Sequence, residues 1–289
     1  MRGERLVSLL DTALRLDRRW IFLFVAASVA LPLFLSIPQT IPVTPEARGI
    51  VDAVEALPPG SRVILACDYD PGTAAEIQPM AVTFLKQAFT KRLRVIIMGL
   101  WPQGPMQGNL AVAEALLDPR IASLGLEYGV DYVNLGYQSG NEVVIQRMGS
   151  GIPSVFPRDA RGVPIAEFPI MEGVRDFSSI AYVFNVSSGY PGTVEWVQFA
   201  GDRFHARIGS GSTAVQAPQI YPYFPRQITG VLGGMKGANE YEQITEFRGK
   251  GTSFMLAQTF AHVVVVLFVV LGNVAMLFAR RRPPEGGRA

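Results

Sequence analysis

Two stretches of the chain run without a charged residue, Ile21–Ile37 and Phe254–Ala279. A bilayer-crossing helix needs about 20 mostly apolar residues at about 1.5 Å rise each. The second stretch meets that length outright, and Trp20 with its flanking turn extends the first toward it. The pattern predicts transmembrane helices over 20–37 and 254–279. A cleaved signal peptide is the alternative for the first, because arginines precede it and Ser28-Val29-Ala30 offers small residues. Leu31-Pro32-Leu33-Phe34-Leu35 carries the apolar run past that point, which favours an uncleaved anchor.

Between the anchors the pattern alternates between two periods. After a stiff connector with Pro38, Pro42 and Pro45, a helix is expected from Pro45 to Leu57, capped by Thr44. Arg62–Cys67 is a continuous apolar run of the kind buried on both faces of a sheet. Residues 73–91 place Ile77, Met80, Ala81, Phe84, Leu85 and Phe89 at helical spacing. A strand over Arg94–Leu100, a helix over 108–119, a strand over 132–136 and a helix over Asn141–Arg147 follow. Further strands are expected at Ile180–Val186 and Phe204–Ile208, a short helix at Thr193–Phe199, and helix over 226–247. Residues 149–178, rich in Gly and Pro, form a long irregular insertion. The β-α-β-α-β order predicts an α/β domain, a Rossmann- or flavodoxin-like mostly parallel sheet flanked by helices, inserted between two transmembrane helices.

Charge then suggests an orientation. Both short ends are basic: Arg2, Arg5, Arg15, Arg18 and Arg19 at one, Arg280, Arg281, Arg282 and Arg288 at the other. Basic flanks stay cytoplasmic. The expected organisation is a cytoplasmic amphipathic segment over 1–19, a span over 20–37, an extracytoplasmic α/β domain over 38–253, a span over 254–279 and a cytoplasmic basic tail over 280–289. The chain is thereby expected in the cell membrane, with both ends inside. The domain holds 17 lysines and arginines against 20 acids, a net −3. It shows no basic patch for nucleic acid. One cysteine, Cys67, rules out an intramolecular disulfide, and two histidines leave little for a multi-histidine metal centre.

Ligands of open parallel sheets bind beyond the carboxyl ends of the strands. The loops there supply Asp68, Asp70 and Thr73; Gln103; Ser139 and Asn141; and Ser188. All are polar, on glycine-bearing segments, and together they make a candidate ligand-binding cleft. Asp68-Tyr69-Asp70-Pro71-Gly72-Thr73 resembles the opening of haloacid-dehalogenase-type phosphatases, a strand followed by Asp-x-Asp and then Thr. That resemblance implies hydrolysis through Asp68 and Asp70. It covers six residues and departs from the family in two ways. Thr73 stands three residues beyond Asp70 instead of two, and Gly99-Leu100-Trp101 replaces the Ser or Thr that ends the second strand. Read from the residues alone, the same segment is good turn and helix-cap chemistry, and its two carboxylates are also hard-oxygen ligands for a divalent cation.

Ser139 lies in Gly-x-x-Ser-Gly rather than a nucleophile elbow, with His205 or Lys236 as candidate bases. Gly209–Thr213 and Gly233–Gly237 are glycine-rich but match no phosphate-loop pattern. No metal site and no cofactor is assigned. Gln258, Thr259, His262 and Asn273 are polar within the second apolar stretch, which suggests contact with another membrane subunit, or self-association, in addition to the lipid bilayer. The leading expectation is an accessory or scaffold subunit of a membrane complex with a ligand-binding cleft. The alternative is a membrane-anchored hydrolase using Asp68 and Asp70.

Overall fold

The computed structural model describes residues 17–34 and 40–280. The amphipathic segment expected over 1–19, apart from its last residues, and the basic tail beyond Arg280 lie outside them. The chain forms two compact units, Thr40–Thr252 and a second made from Met1–Gln39 with Ser253–Ala289.

In the second unit, α1 (Arg18–Phe34) contains 17 residues with Pro32 inside. At about 1.5 Å per residue it is about 26 Å long, below the ~30 Å of a hydrocarbon core. Phe24 of α1 meets Phe268, whose ring centroid is 6.1 Å away. Among the described residues one helix is long and apolar enough to cross a bilayer, Lys250–Leu277. This corrects the expected two-span arrangement. The argument that put both ends in the cytoplasm and the domain outside needed two crossings, and it falls with the first.

The α/β unit opens with α2 (Pro45–Glu55), whose Thr44 side chain accepts from the Ala47 amide as expected. The chain continues through β1 (Arg62–Asp68), α3 (Ala74–Thr90), β2 (Arg94–Gly99), α4 (Gly104–Ala115), β3 (Tyr132–Tyr137), α5 (Glu142–Val155), β4 (Tyr182–Ser187), α6 (Thr193–Trp196), β5 (Ile208–Ser212), β6 (Val231–Gly233), α7 (Gly234–Ile244) and α8 (Lys250–Arg280). All five strand pairings are parallel and the order is β3-β2-β1-β4-β5-β6. That is the dinucleotide-binding Rossmann order rather than the flavodoxin one.

Alternate residues of each strand feed two cores. Val63, Leu65, Val95, Ile97, Phe184 and Val186 pack with α2, α3, α4 and α7. Phe84 of α3 stacks on Phe184 at 4.7 Å. Ile64, Ala66, Ile96, Met98, Val133 and Val183 face the other way, against α5, α6 and the segment over 157–180. The expected irregular insertion is therefore a structural layer. Its first residues extend α5 through Val155, and Ile165, Ile170, Met171 and Phe177 are buried in the second core.

Other departures have local causes. Helix α4 starts at Gly104, four residues before the expected 108. A Cβ on Gly104 would lie 1.8 Å from the Cys67 carbonyl oxygen, so this glycine is what lets α4 rest on β1. The Gly-Ser run at 209–212 is the buried strand β5 rather than a loop. His205, expected within a strand, is an exposed left-handed helix end at φ 58. β6, three residues long, falls inside the stretch expected to be helical.

Helix α7 secures both ends of the domain. Its buried Glu240 accepts from the Thr44 amide at 3.0 Å, and Gln243 exchanges two bonds with Ile41. Its buried Glu242 accepts from the amides of Gly249, Gly251 and Thr252 and from the Thr252 hydroxyl, all within 2.9 Å. These are the orphan N–H groups at the start of α8, and a carboxylate is the side chain best suited to them.

Candidate functional site

The strand order reverses between β1 and β4, so the crevice beyond their carboxyl ends is where a ligand of this fold is expected. Trp101, after β2, donates its indole N–H to the Pro191 carbonyl at 2.9 Å. That bond passes over the end of β1 and joins the β2 and β4 loops. A cleft of about 580 Å³ opens on the β4–β5 side. Thr73 and Glu76 line it from the start of α3, and Ser188, Gly189 and Tyr190 from the β4 loop. Val194 and Glu195 come from α6, and Thr213, Val215 and Gln216 from the loop after β5. A second cleft of about 500 Å³ lies at the β3 end, with Pro102, Pro105, Tyr137, Gln138, Phe156 and Arg158 in its wall.

Among the seven residues singled out from the sequence, Thr73 and Ser188 line the first cleft. Asp68 lies under its β4 wall, fully buried, and its main-chain carbonyl accepts from the Ser188 amide at 3.1 Å. Asp70 is half-buried and turns inward on its own loop, accepting from Gly72 N–H at 2.7 Å. Gln103, Ser139 and Asn141 are exposed on the loops beside the second cleft without lining either one.

Asp68 is the last residue of β1, paired in register with Ser187. Its Oδ1 accepts from Leu100 N–H at 2.6 Å. Its Oδ2 accepts from Asn185 Nδ2 at 2.6 Å and Trp196 Nε1 at 2.9 Å. Burial pushes its pKa up to about 7, against the opposing pull of these three donors. The carboxylate thus fastens β1, β2, β4 and α6 together and is enclosed by them. Asp68 and Asp70 do not share a solvent-facing surface. Among the described residues no group of three or more His, Cys, Asp or Glu side chains is placed to hold a metal ion. Cys67, also fully buried, has its thiol pushed well up by burial and by Asp68.

A polar seam leads from Asp68 toward the cleft. Asn185 Oδ1 accepts from Thr193 Oγ1 at 2.8 Å, and Thr193 Oγ1 meets Ser210 Oγ at 2.7 Å. Ser187 Oγ bonds Thr193 and Gln216, and Gln216 donates to the Gly189 carbonyl at 3.1 Å. Asn185, Ser187, Ser210 and Ser212 share one face of β4 and β5 because strand side chains alternate. At the cleft end of the seam, Ser188 Oγ and Ser212 Oγ are buried without a hydrogen-bond partner.

The cleft contributors Glu76, Glu195, Thr213 and Gln216 were not singled out from the sequence. The available signal was the period-two placement of Asn185 and Ser187, then Ser210 and Ser212, in otherwise apolar or glycine-rich strands. It marks a polar end on one face of the sheet. No family model, curated protein or solved structure matches the chain.

Proposed function

We propose that this chain is a membrane-anchored, non-catalytic ligand-binding subunit whose α/β domain holds a small molecule in the cleft at the end of β4 and β5. The observation that carries this reading is the cleft itself. It sits beside the strand-order reversal and is lined by hydroxyl, amide and carboxylate groups. Among the described residues, the candidate bases His205 and Lys236 make no hydrogen bond to Ser139. The enclosed Asp68 acts as a fastening, and Ser139 stands exposed on its loop.

The accessory role rests on α8. Thr259 and Asn273 return their side chains to carbonyls one turn back, of Met255 and Val269. Gln258 and His262 lie four residues apart and exposed on that apolar helix. Polar groups in such a helix favour a partner helix. Contact with lipid and with another subunit, or a second copy, through this face completes the reading.

Thermal unfolding of the full chain in nanodiscs tests the ligand part. Adding the small-molecule fraction of the source cells is expected to raise Tm of the wild type, since binding to the native state alone stabilises it. Val194→Trp, which fills the cleft, is expected to unfold at the same Tm with and without that fraction. Equal shifts in both proteins, or none in either, would contradict the proposal.

A further inference from the structure

We infer that the cleft selects a small organic cation, a compound bearing a primary amine among hydrogen-bonding groups, and rejects phosphate-bearing ligands. This rests on the cleft being a ligand site, as proposed above, and names what it takes.

Among the described residues, the charged side chains in its wall are Glu76 and Glu195, with no Lys, Arg or His. They stand on different elements, α3 and α6. Each has one oxygen committed to the protein: Glu76 Oε2 accepts from Ala214 N–H at 2.9 Å, and Glu195 Oε2 from Gly192 N–H at 2.8 Å. Those bonds fix both carboxylates from the backbone side and leave an oxygen of each for a ligand. An ammonium group has three donors and no acceptor, which fits the free carboxylate oxygens of Glu76 and Glu195.

The same geometry works against phosphate. In nucleotide-binding members of this strand order, free amides at the start of the first helix take the pyrophosphate. Here three of the amides leading into α3 are used within the turn: Gly72 N–H on Asp70 Oδ1, Thr73 N–H on the Asp70 carbonyl, Ala74 N–H on the Pro71 carbonyl. Glu76 then occupies the first turn of α3, where it already answers the helix dipole. A phosphate would meet carboxylates where the fold ordinarily offers N–H groups.

Titration calorimetry on the full chain in nanodiscs distinguishes the outcomes. The probes are putrescine, spermidine and glucosamine, against the neutral analogues butane-1,4-diol and glucose and against AMP. At least one amine is expected to bind, at least tenfold tighter than its neutral analogue and more weakly as salt rises, while AMP gives no heat. Glu76→Gln and Glu195→Gln keep an acceptor oxygen for Ala214 and Gly192, so the fold is retained. Each is expected to weaken the amine about tenfold. Glucose binding as well as glucosamine, or AMP binding at all, would overturn the amine class and leave the cleft standing as a ligand site. Heat from no probe overturns the amine class as well, and if the Tm shift of the preceding section is also absent, the cleft reading fails with it.

Discussion

Asp68, singled out from the sequence as a candidate cleft residue, is fully buried in the fold. Three N–H groups point at its two oxygens, yet its raised pKa means the folded state holds a proton more readily than the unfolded chain does. The stability it contributes is therefore complete at low pH, below the ordinary carboxylate range, and declines as pH rises through about 7. Asp68→Asn puts an NH₂ group against those donors. Denaturant unfolding at pH 5 is expected to show a loss of about 1–3 kcal/mol, narrowing toward pH 8. A gap that widens with pH would show that the carboxylate is stabilised as an anion instead. The burial of Asp68 was not legible, because the apolar run over 62–67 places the next residue in a loop. Pairing with Ser187 carries β1 one position further and turns that side chain inward. Asp70, three residues from Thr73, behaves as its turn chemistry indicated.

At the level of elements, the most consequential join is Glu242 with the start of α8. The helix carries no acidic residue in its own first turn, so α7 supplies the capping carboxylate. Glu242→Gln leaves one acceptor oxygen for donors that now use two. The expected cost is about 2–3 kcal/mol, with faster hydrogen exchange at the Gly251 and Thr252 amides and little change in β1 or β4. Uniform exchange across the sheet, or no change at 251–252, would refute the clamp. Most helices and strands of the first half were legible from period alone, since α2, α3, β1 and β2 have long and regular apolar sets. Later elements were not. Gly209 and Gly211 stand in β5 because Tyr182 and Met80 crowd that face: a Cβ at Gly209 would sit 1.9 Å from the Tyr182 hydroxyl oxygen. Composition there says loop, while packing demands a strand. The first apolar helix is the opposite case, hydrophobic enough to suggest a span, while its described part, at 17 residues, is shorter than the ~20 a span takes.

For the whole molecule, alternating strand and helix patterns disclosed a parallel α/β sheet but not its order, which depends on where each crossover returns. The strand order decides where a ligand belongs, so the seven candidate residues could be gathered only as one rim. The structure divides that rim, with Thr73 and Ser188 on the β4–β5 side and Gln103, Ser139 and Asn141 toward β3. Both termini of the α/β domain are held by Glu240, Glu242 and Gln243 of one helix, and α7 packs on α3, whose first turn lines the cleft. On the proposed ligand-binding role, the cleft wall and the tethers stand on adjoining elements. Native mass spectrometry of the full chain, released in mild detergent from its own membrane, measures the central claim most directly. The wild type is expected as an assembly, with a second copy or another subunit, carrying a bound small molecule that Val194→Trp lacks. A bare monomer, or the same small molecule retained by the filled-cleft variant, would contradict it.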